Sequence, residues 1–192
     1  YLARIHFDFS IITGGANRFN SAQIRVNEDD KESLALAKIF GAPFIVQSKH
    51  REKSYRESAI KLGKKVLLFE GGKSLDFNKS ITQIGVNGAL KLMHHLGIRD
   101  FEKEINKGVK INRPPVIIEK SKWIRARYSG MFRTKAVLGK LYNKGDKIGN
   151  ISDPFGFFER DIRAPNKGYI FCLNQAPIVN KGDAIIHISV EE

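Results

Sequence analysis

Val66-Leu67-Leu68-Phe69-Glu70-Gly71-Gly72 decides the architecture. Four apolar residues in a row are too few for a helix and leave neither strand face polar, so they read as a strand covered on both sides. The run ends on one carboxylate, Glu70, followed by two glycines. On its N-terminal side, Lys53 to Leu62 has a helical pattern that Gly63 stops. On its C-terminal side, Ser80 to Leu96 predicts a longer helix, with Ile81, Ile84, Leu92 and Leu96 on or near one stripe and Gly97 as its cap. Further upstream, Asp29-Asp30-Lys31-Glu32-Ser33 leads into a short amphipathic helix through Leu34, Ala35, Ala37, Lys38 and Ile39, which Gly41 ends. Acidic residues in its first turn suit the helix dipole. Pro43-Phe44-Ile45-Val46-Gln47 is a second compact apolar strand. Helices alternating with apolar strands predict an α/β layer, helices packed on a sheet.

Phe101 to Pro115 reads as a charged linker ending in Pro114-Pro115, and the texture changes after it. Val116-Ile117-Ile118, Trp123-Ile124-Arg125-Ala126, Gly168-Tyr169-Ile170-Phe171 and Ala184-Ile185-Ile186-His187-Ile188 are short strands, punctuated by Gly-Asp and Pro-Asn turns. The division expected is an α/β part over residues 1–112 and a small β-rich domain over 113–192. Within the latter, Asn143-Lys144-Gly145-Asp146-Lys147-Ile148-Gly149 and Asn180-Lys181-Gly182-Asp183-Ala184-Ile185 echo each other, each placing a Lys-Gly-Asp turn before an apolar strand. The pattern resembles the barrel-sandwich fold of biotinyl and lipoyl carriers. No lysine sits at a hairpin tip in a carrier-like local motif, so a carrier role is not expected.

The bulk properties bound the partners. The 192 residues carry a formal net charge of +13. Residues 1–112 hold 19 basic and 12 acidic side chains, and residues 113–192 hold 14 and 8, so the excess is spread evenly with no basic tail. An even spread suits a solvated surface or a small acidic substrate better than nucleic acid. No apolar run approaches the roughly 18 residues of a membrane helix. The lone cysteine, Cys172, lies in the apolar run Tyr169 to Leu173 and reads as a small buried hydrophobe. A single cysteine allows no intrachain disulfide and fits a reducing compartment, the cytoplasm. The start at Tyr1-Leu2-Ala3-Arg4-Ile5 reads as the middle of an element, so further sequence is expected before it. A homo-oligomer is compatible with all of this.

Several motifs follow one another in order: Thr13-Gly14-Gly15-Ala16-Asn17-Arg18-Phe19-Asn20, Gln23-Ile24-Arg25-Val26-Asn27, Leu36 to Pro43, Ser54-Tyr55-Arg56-Glu57-Ser58-Ala59, and Val66 to Gly72. Later come Ser121 to Ala126 with Ser129-Gly130, Ile151-Ser152-Asp153-Pro154-Phe155-Gly156, Arg163-Ala164-Pro165, Gly168-Tyr169-Ile170 and Gly182-Asp183-Ala184. In order and spacing the chain resembles the C-terminal part of the succinylglutamate desuccinylase/aspartoacylase family, in its bacterial, less characterised branch. The resemblance implies a zinc-carboxypeptidase-like α/β domain followed by a β-rich domain. It further implies hydrolysis of the amide of an N-acylated amino acid or a related small amide, with zinc as cofactor. Zinc with an open position polarises a carbonyl and acidifies water. A nearby carboxylate takes that water's proton and passes it to the leaving nitrogen.

Carried onto this sequence, the resemblance assigns Glu70 as general base and Arg56, on the preceding helix, as a ligand for the substrate carboxylate, for which a guanidinium fork is suited. Gly71 and Gly72 are expected to let a ligand approach the backbone. Arg18 and Asn20, in and after the Gly-rich turn, are candidates for lining the pocket. The metal ligands are missing. No His-x-x-Glu occurs anywhere in the chain, and before Thr13 it reads Ser10-Ile11-Ile12 where the family has Asp-x-His. An ungapped alignment puts Ile12 at the histidine position; alternatively Asp8-Phe9-Ser10-Ile11 matches the strand start, and the Asp and the His are each absent. His6, His50, His94, His95 and His187 have no ligand spacing to one another and read as structural or surface residues. Three functions remain open: a zinc deacylase whose ligands lie outside this sequence, a metal-free binding or scaffold protein, and another role on a related frame, such as a nucleic-acid or carrier module.

Overall fold

The computed structural model describes residues 5–8, 17–73, 76–108, 111 and 113–191, with the backbone alone at Ile5–Asp8. The chain forms two compact units, the first built from Ala22–Gly72 and Asp76–Glu119 with the strand Ile5–Asp8, the second from Lys120 onward with the segment ending at Ser21.

The first unit is a layer of strands and helices. Its strands are β1 (Ile5–Asp8), the latter part of β2 (Arg18–Val26), β3 (Phe44–Gln47), β4 (Lys65–Gly72) and β5 (Val116–Ile118). They lie in the order β1-β4-β2-β3-β5. β1 runs parallel to β4 from Ile5↔Lys65 to Asp8↔Leu68, and β2 runs parallel to β3 from Gln23↔Phe44 to Val26↔Gln47. Parallel strands need both faces covered, which is why Phe44, Ile45, Val46, Val66, Leu67 and Leu68 are all buried. The sequence reading put Val116–Ile118 in the β-rich half. The structure instead pairs it in parallel with β3, Phe44↔Val116 to Val46↔Ile118, so the change of texture comes after Glu119. Three unbroken apolar residues fit a parallel sheet, and Pro114-Pro115 only marks the turn into it.

Helix α1 (Lys31–Phe40) begins where Asp30 accepts from the Ser33 N–H at 3.0 Å and ends where Gly41 takes a left-handed φ of 77°. Helix α2 (Tyr55–Lys61) is shorter than the Lys53–Leu62 expected. Lys53 has φ 59°, and the hydroxyl of Ser54 caps the helix by accepting from the Glu57 N–H. Helix α3 (Lys79–His95) closes with a six-to-one and five-to-two hydrogen-bond pair, Ile98 N–H to the Met93 carbonyl and Gly97 N–H to that of His94. Leu96 was placed on the α3 stripe but is 41% exposed, because it follows the last helical residue. The stripe is completed by glycine: a Cβ on Gly88 would lie 2.3 Å from the Phe40 ring, so a bare backbone lets α3 close on it. Ile24, Val26, Leu36, Phe40, Ile45, Leu67 and Leu92 form this core, each contributing about 1.5–3 kcal/mol by burial. The stretch read as linker contains a fourth helix, α4 (Glu102–Asn106), with Glu102 and Glu104 in its first turn.

The second unit contains antiparallel strands and, among the described residues, no helix. They are the start of β2, β6 (Ser121–Arg125), β7 (Gly130–Thr134), β8 (Leu141–Tyr142), β9 (Lys147–Ser152), β10 (Glu159–Arg163), β11 (Gly168–Asn174), β12 (Ile178–Val179) and β13 (Ala184–Ser189). β6 pairs with β13, β13 with β11, and β11 with both β8 and the residues Arg18–Asn20; a second sheet runs β10-β9-β7-β12. Ile148, Ile151, Ile170, Ile185, Ile186 and Ile188 fill its interior. Among the described residues no helix is long and apolar enough to cross a membrane.

Candidate active site

β4 delivers Glu70 into a polar cluster. The strand continues to Gly72, so Glu70 sits within it and not at its end, and the residue is 8% exposed. Its Oε2 accepts from Gln23 Nε2 at 2.9 Å and from Arg25 Nε at 2.6 Å. Gln23 and Arg25 stand two apart on β2, so they project from one face of the sheet, the face on which Glu70 of the neighbouring β4 stands. Buried Ala22, Ile24 and Val26 alternate with them. Oε1 of Glu70 accepts no hydrogen bond among the described residues.

Arg56, on α2, lies near enough to Arg25 and Glu70 for their charges to act on it. It is 8% exposed, and its Nη2 donates to the Ser48 carbonyl over a long 3.4 Å. Its Nε is buried and has no hydrogen-bond partner among the described residues, and the same holds for Oε1 of Gln23. Burial lowers the pKa of Arg56 and the nearby Arg25 guanidinium lowers it further, while Glu70 acts in the opposite sense. The cluster thus holds two guanidinium groups against one carboxylate. Buried polar atoms without partners are rare and costly. The idle Nε of Arg56 is a donor that an anion can satisfy.

The glycines after Glu70 serve packing. A Cβ on Gly71 would sit 2.6 Å from Ile81 Cγ2 and 3.2 Å from the Ala22 Cα, so the space beside it belongs to the fold and not to a ligand, contrary to the sequence reading. Gly72 has φ 78° and lies against Asn78.

Glu70 and Arg56, picked out from the sequence, thus come together in the first unit. Arg18 and Asn20 belong to the second unit. There the Arg18 guanidinium lies 4.7 Å from the centre of the Trp123 ring, and Asn20 pairs with Cys172 across the β2–β11 ladder. Arg18 also lines a small polar hollow with Asn17, Asn174 and Asp183. Gln23 and Arg25 escaped the sequence reading as site residues. The signal was present in Ala22-Gln23-Ile24-Arg25-Val26, where two polar side chains on one strand face must meet something polar.

The described residues do not fit zinc. Among them no group of three His, Cys, Asp or Glu side chains lies close enough to hold a metal ion. The one carboxylate in the cluster is already held by a cation, Arg25. His187 is sandwiched between Trp123 and Phe171, with ring centres 4.3 and 4.4 Å away, and His94 Nδ1 accepts from the Phe101 N–H. His50 is half-buried with Nδ1 unpartnered among the described residues, and His95 is exposed. The side chain of His6 and the residues 9–16, which include Ile12 and the Thr13-Gly14-Gly15 turn, lie outside the described residues.

No protein-family model matches the sequence, and no curated protein matches it. Solved structures do match. The apo ectoine utilization protein EutE (DoeB) from Ruegeria pomeroyi superposes with a TM-score of 0.78 at 19% identity, over 99% of this chain and 61% of that one. A succinylglutamate desuccinylase/aspartoacylase from Rhodobacter sphaeroides gives 0.78 and 19%, over 100% of this chain and 59% of that one. An aspartoacylase family protein from Mesorhizobium loti gives 0.76 and 15%, over 98% and 63%. The mixed α/β fold is therefore the one these proteins share, and the chain spans 59% to 63% of their length.

Proposed function

We propose that this chain is the acid–base and carboxylate-binding part of a deacylase that hydrolyses the amide of an N-acylated amino acid or a related small amide. The observation that carries the reading is the Glu70–Arg25–Gln23 cluster, with Glu70 and Gln23 buried and Arg25 half-buried, near Arg56, whose buried Nε has no partner among the described residues. It lies in a fold shared with desuccinylase and aspartoacylase structures. The guanidinium of Arg56 binds the substrate carboxylate. Arg25 and Gln23 fix Oε2 of Glu70, and Oε1 is left to take a proton from the attacking water. The hydroxyl adds to the amide carbonyl carbon, the C–N bond breaks, and the proton held on Glu70 passes to the departing nitrogen. An acid and an amine result.

Zinc would require ligands other than the described residues. Cytoplasmic location and an acidic small-molecule substrate complete the proposal; a product-bound form of the EutE (DoeB) protein has the same fold as this chain at a TM-score of 0.77. The test is hydrolysis by the full-length protein of a panel of N-acyl amino acids, with release of the free amine measured. Turnover that prefers acidic amino acids supports the proposal. No turnover of any member defeats it.

One observation favours a second reading, a metal-free protein that binds the same ligands without cleaving them. Glu70 is already neutralised by Arg25 at 2.6 Å. Calorimetric binding of an N-acyl amino acid, with no amine released and no zinc in the protein, would identify that case.

A further inference from the structure

The second unit is built twice on one plan. Ile124-Arg125-Ala126 at the end of β6 and Ile162-Arg163-Ala164 at the end of β10 are equivalent. Ala126 donates to the carbonyl of Asp183 and Ala164 to that of Asp146, both at 2.9 Å. Each alanine carbonyl accepts from the glycine of the same turn, Gly182 or Gly145, both at 2.8 Å. Arg125 and Arg163 then donate to the carbonyls of those glycines at 2.8 and 3.1 Å. β6 and β10 are thus corresponding strands of two halves. Among the described residues each stands at the edge of its sheet, β6 pairing with β13 and β10 with β9.

A groove of about 440 Å³ is lined by both edges. Its apolar lining includes the equivalent Ile124 and Ile162, together with Ile151. Lys122, Arg125, Arg127 and Arg160 line it as well, and none of the four pairs with a carboxylate among the described residues. Asp161, the one acidic residue of the lining, is already held by Lys147 and Arg163. A charge or two on an edge strand is enough to guard it against stray pairing. All four are exposed, so water and salt screen their mutual repulsion, but together they give the groove a positive field that favours an anionic occupant. The edges offer backbone donors and acceptors to an extended chain. For a nucleic acid the groove offers one exposed stacking ring, Tyr128.

We propose that this groove binds an acidic, extended peptide segment, which adds as a strand to β6 or β10 and sets its carboxylates on Lys122, Arg125, Arg127 and Arg160. The experiment is fluorescence anisotropy of a labelled peptide of alternating Glu and Val with the full-length protein. Saturable binding is expected, weakening as salt rises, and absent for the Lys-Val counterpart. Lys122→Glu with Arg127→Glu should weaken it by roughly tenfold or more, while Lys103→Glu on α4 leaves it unchanged. Both groove residues are exposed; Lys122→Gln with Arg127→Gln, which introduces no new charge, should give a smaller loss in the same direction, and circular dichroism checks the fold of each. Methylating alternate backbone amides of the peptide keeps its charge but removes strand pairing, and should abolish most of the binding. The proposal is overturned if the full-length protein does not bind the acidic peptide, or if the groove variants bind it normally. Equal binding of the methylated peptide, of citrate or of a single-stranded oligonucleotide of matched charge also overturns it.

Discussion

The proposed function gives Glu70 the proton transfer and Arg56 the substrate carboxylate, two roles that one substitution each can separate. Glu70→Gln in the full-length protein removes the proton acceptor while leaving a group that fits the same space. A loss of about 10²–10⁴ in kcat is expected on the best N-acyl amino acid, with zinc content unchanged. Steady-state kinetics with metal analysis check it; near-normal turnover would move the base elsewhere. Arg56→Met should act differently. It removes a carboxylate ligand and not the proton acceptor, so KM should rise at least about tenfold on acidic substrates with a smaller change in kcat. A variant that loses kcat alone would show that Arg56 positions Glu70 instead of holding substrate. Glu70 and Arg56 were picked out through the family resemblance; taken alone, a carboxylate after an apolar run and an arginine on a helix carry no role. Gln23 and Arg25 were not, because their role depends on which strand lies next to β2.

At the scale of elements, caps and turns carry separable energies. Asp30 caps α1 and its carboxylate also meets Lys65 Nζ at 3.3 Å. Burial works against its ionisation, but hydrogen bonds from the backbone and side chain of Ser33 and from Lys65 outweigh it, so its pKa falls below the usual value. A folded-state pKa below the unfolded one gives stability that is present above the unfolded value and is lost as pH falls through the folded one. Asp30→Ala should therefore cost about 1 kcal/mol near neutral pH, and the difference from wild type should shrink on acidification below about pH 4. Urea melts at a series of pH values measure it. The twin turns give a second case. Gly145 and Gly182 adopt φ of 92° and 97°, and an added Cβ at either meets nothing within 4 Å. Gly145→Ala and Gly182→Ala should each destabilise by about 1–2 kcal/mol, and by the same amount, because the cost is backbone conformation alone. Unequal losses in thermal or urea unfolding would show that the two halves are not energetically equivalent.

For the whole molecule, the decisive question is where a metal could be held. The full sequence contains no His-x-x-Glu, and the described residues bring no three ligating side chains together. A polypeptide of these 192 residues should retain no more zinc than an unrelated control after dialysis against a weak chelator, measured by atomic absorption. Stoichiometric zinc would reveal ligands that neither sequence spacing nor the described geometry identifies. The net charge of +13 is spread along the sequence, but tertiary structure collects part of it. Lys122, Arg125, Arg127 and Arg160 are separated by up to 38 positions in sequence, yet line one groove.

By itself the sequence determined most of the helices and apolar strands of the first unit and the mixed α/β class of fold. Hydrophobic period, acidic residues ahead of α1, Gly41 and Gly97 as stops and the paired Asn-Lys-Gly-Asp turns are local signals, and local backbone energetics settles them; the Ser54 cap, which starts α2 later than its sequence pattern suggests, emerged from the structure. Tertiary structure alone decided that Val116–Ile118 joins the parallel sheet, that Gly71 is small because Ile81 and Ala22 press on it, and that Arg25 neutralises Glu70 from a strand 45 residues away in sequence. Strand order and side-chain burial follow from how distant segments share one core, and no periodicity within a single segment records which neighbour it will meet.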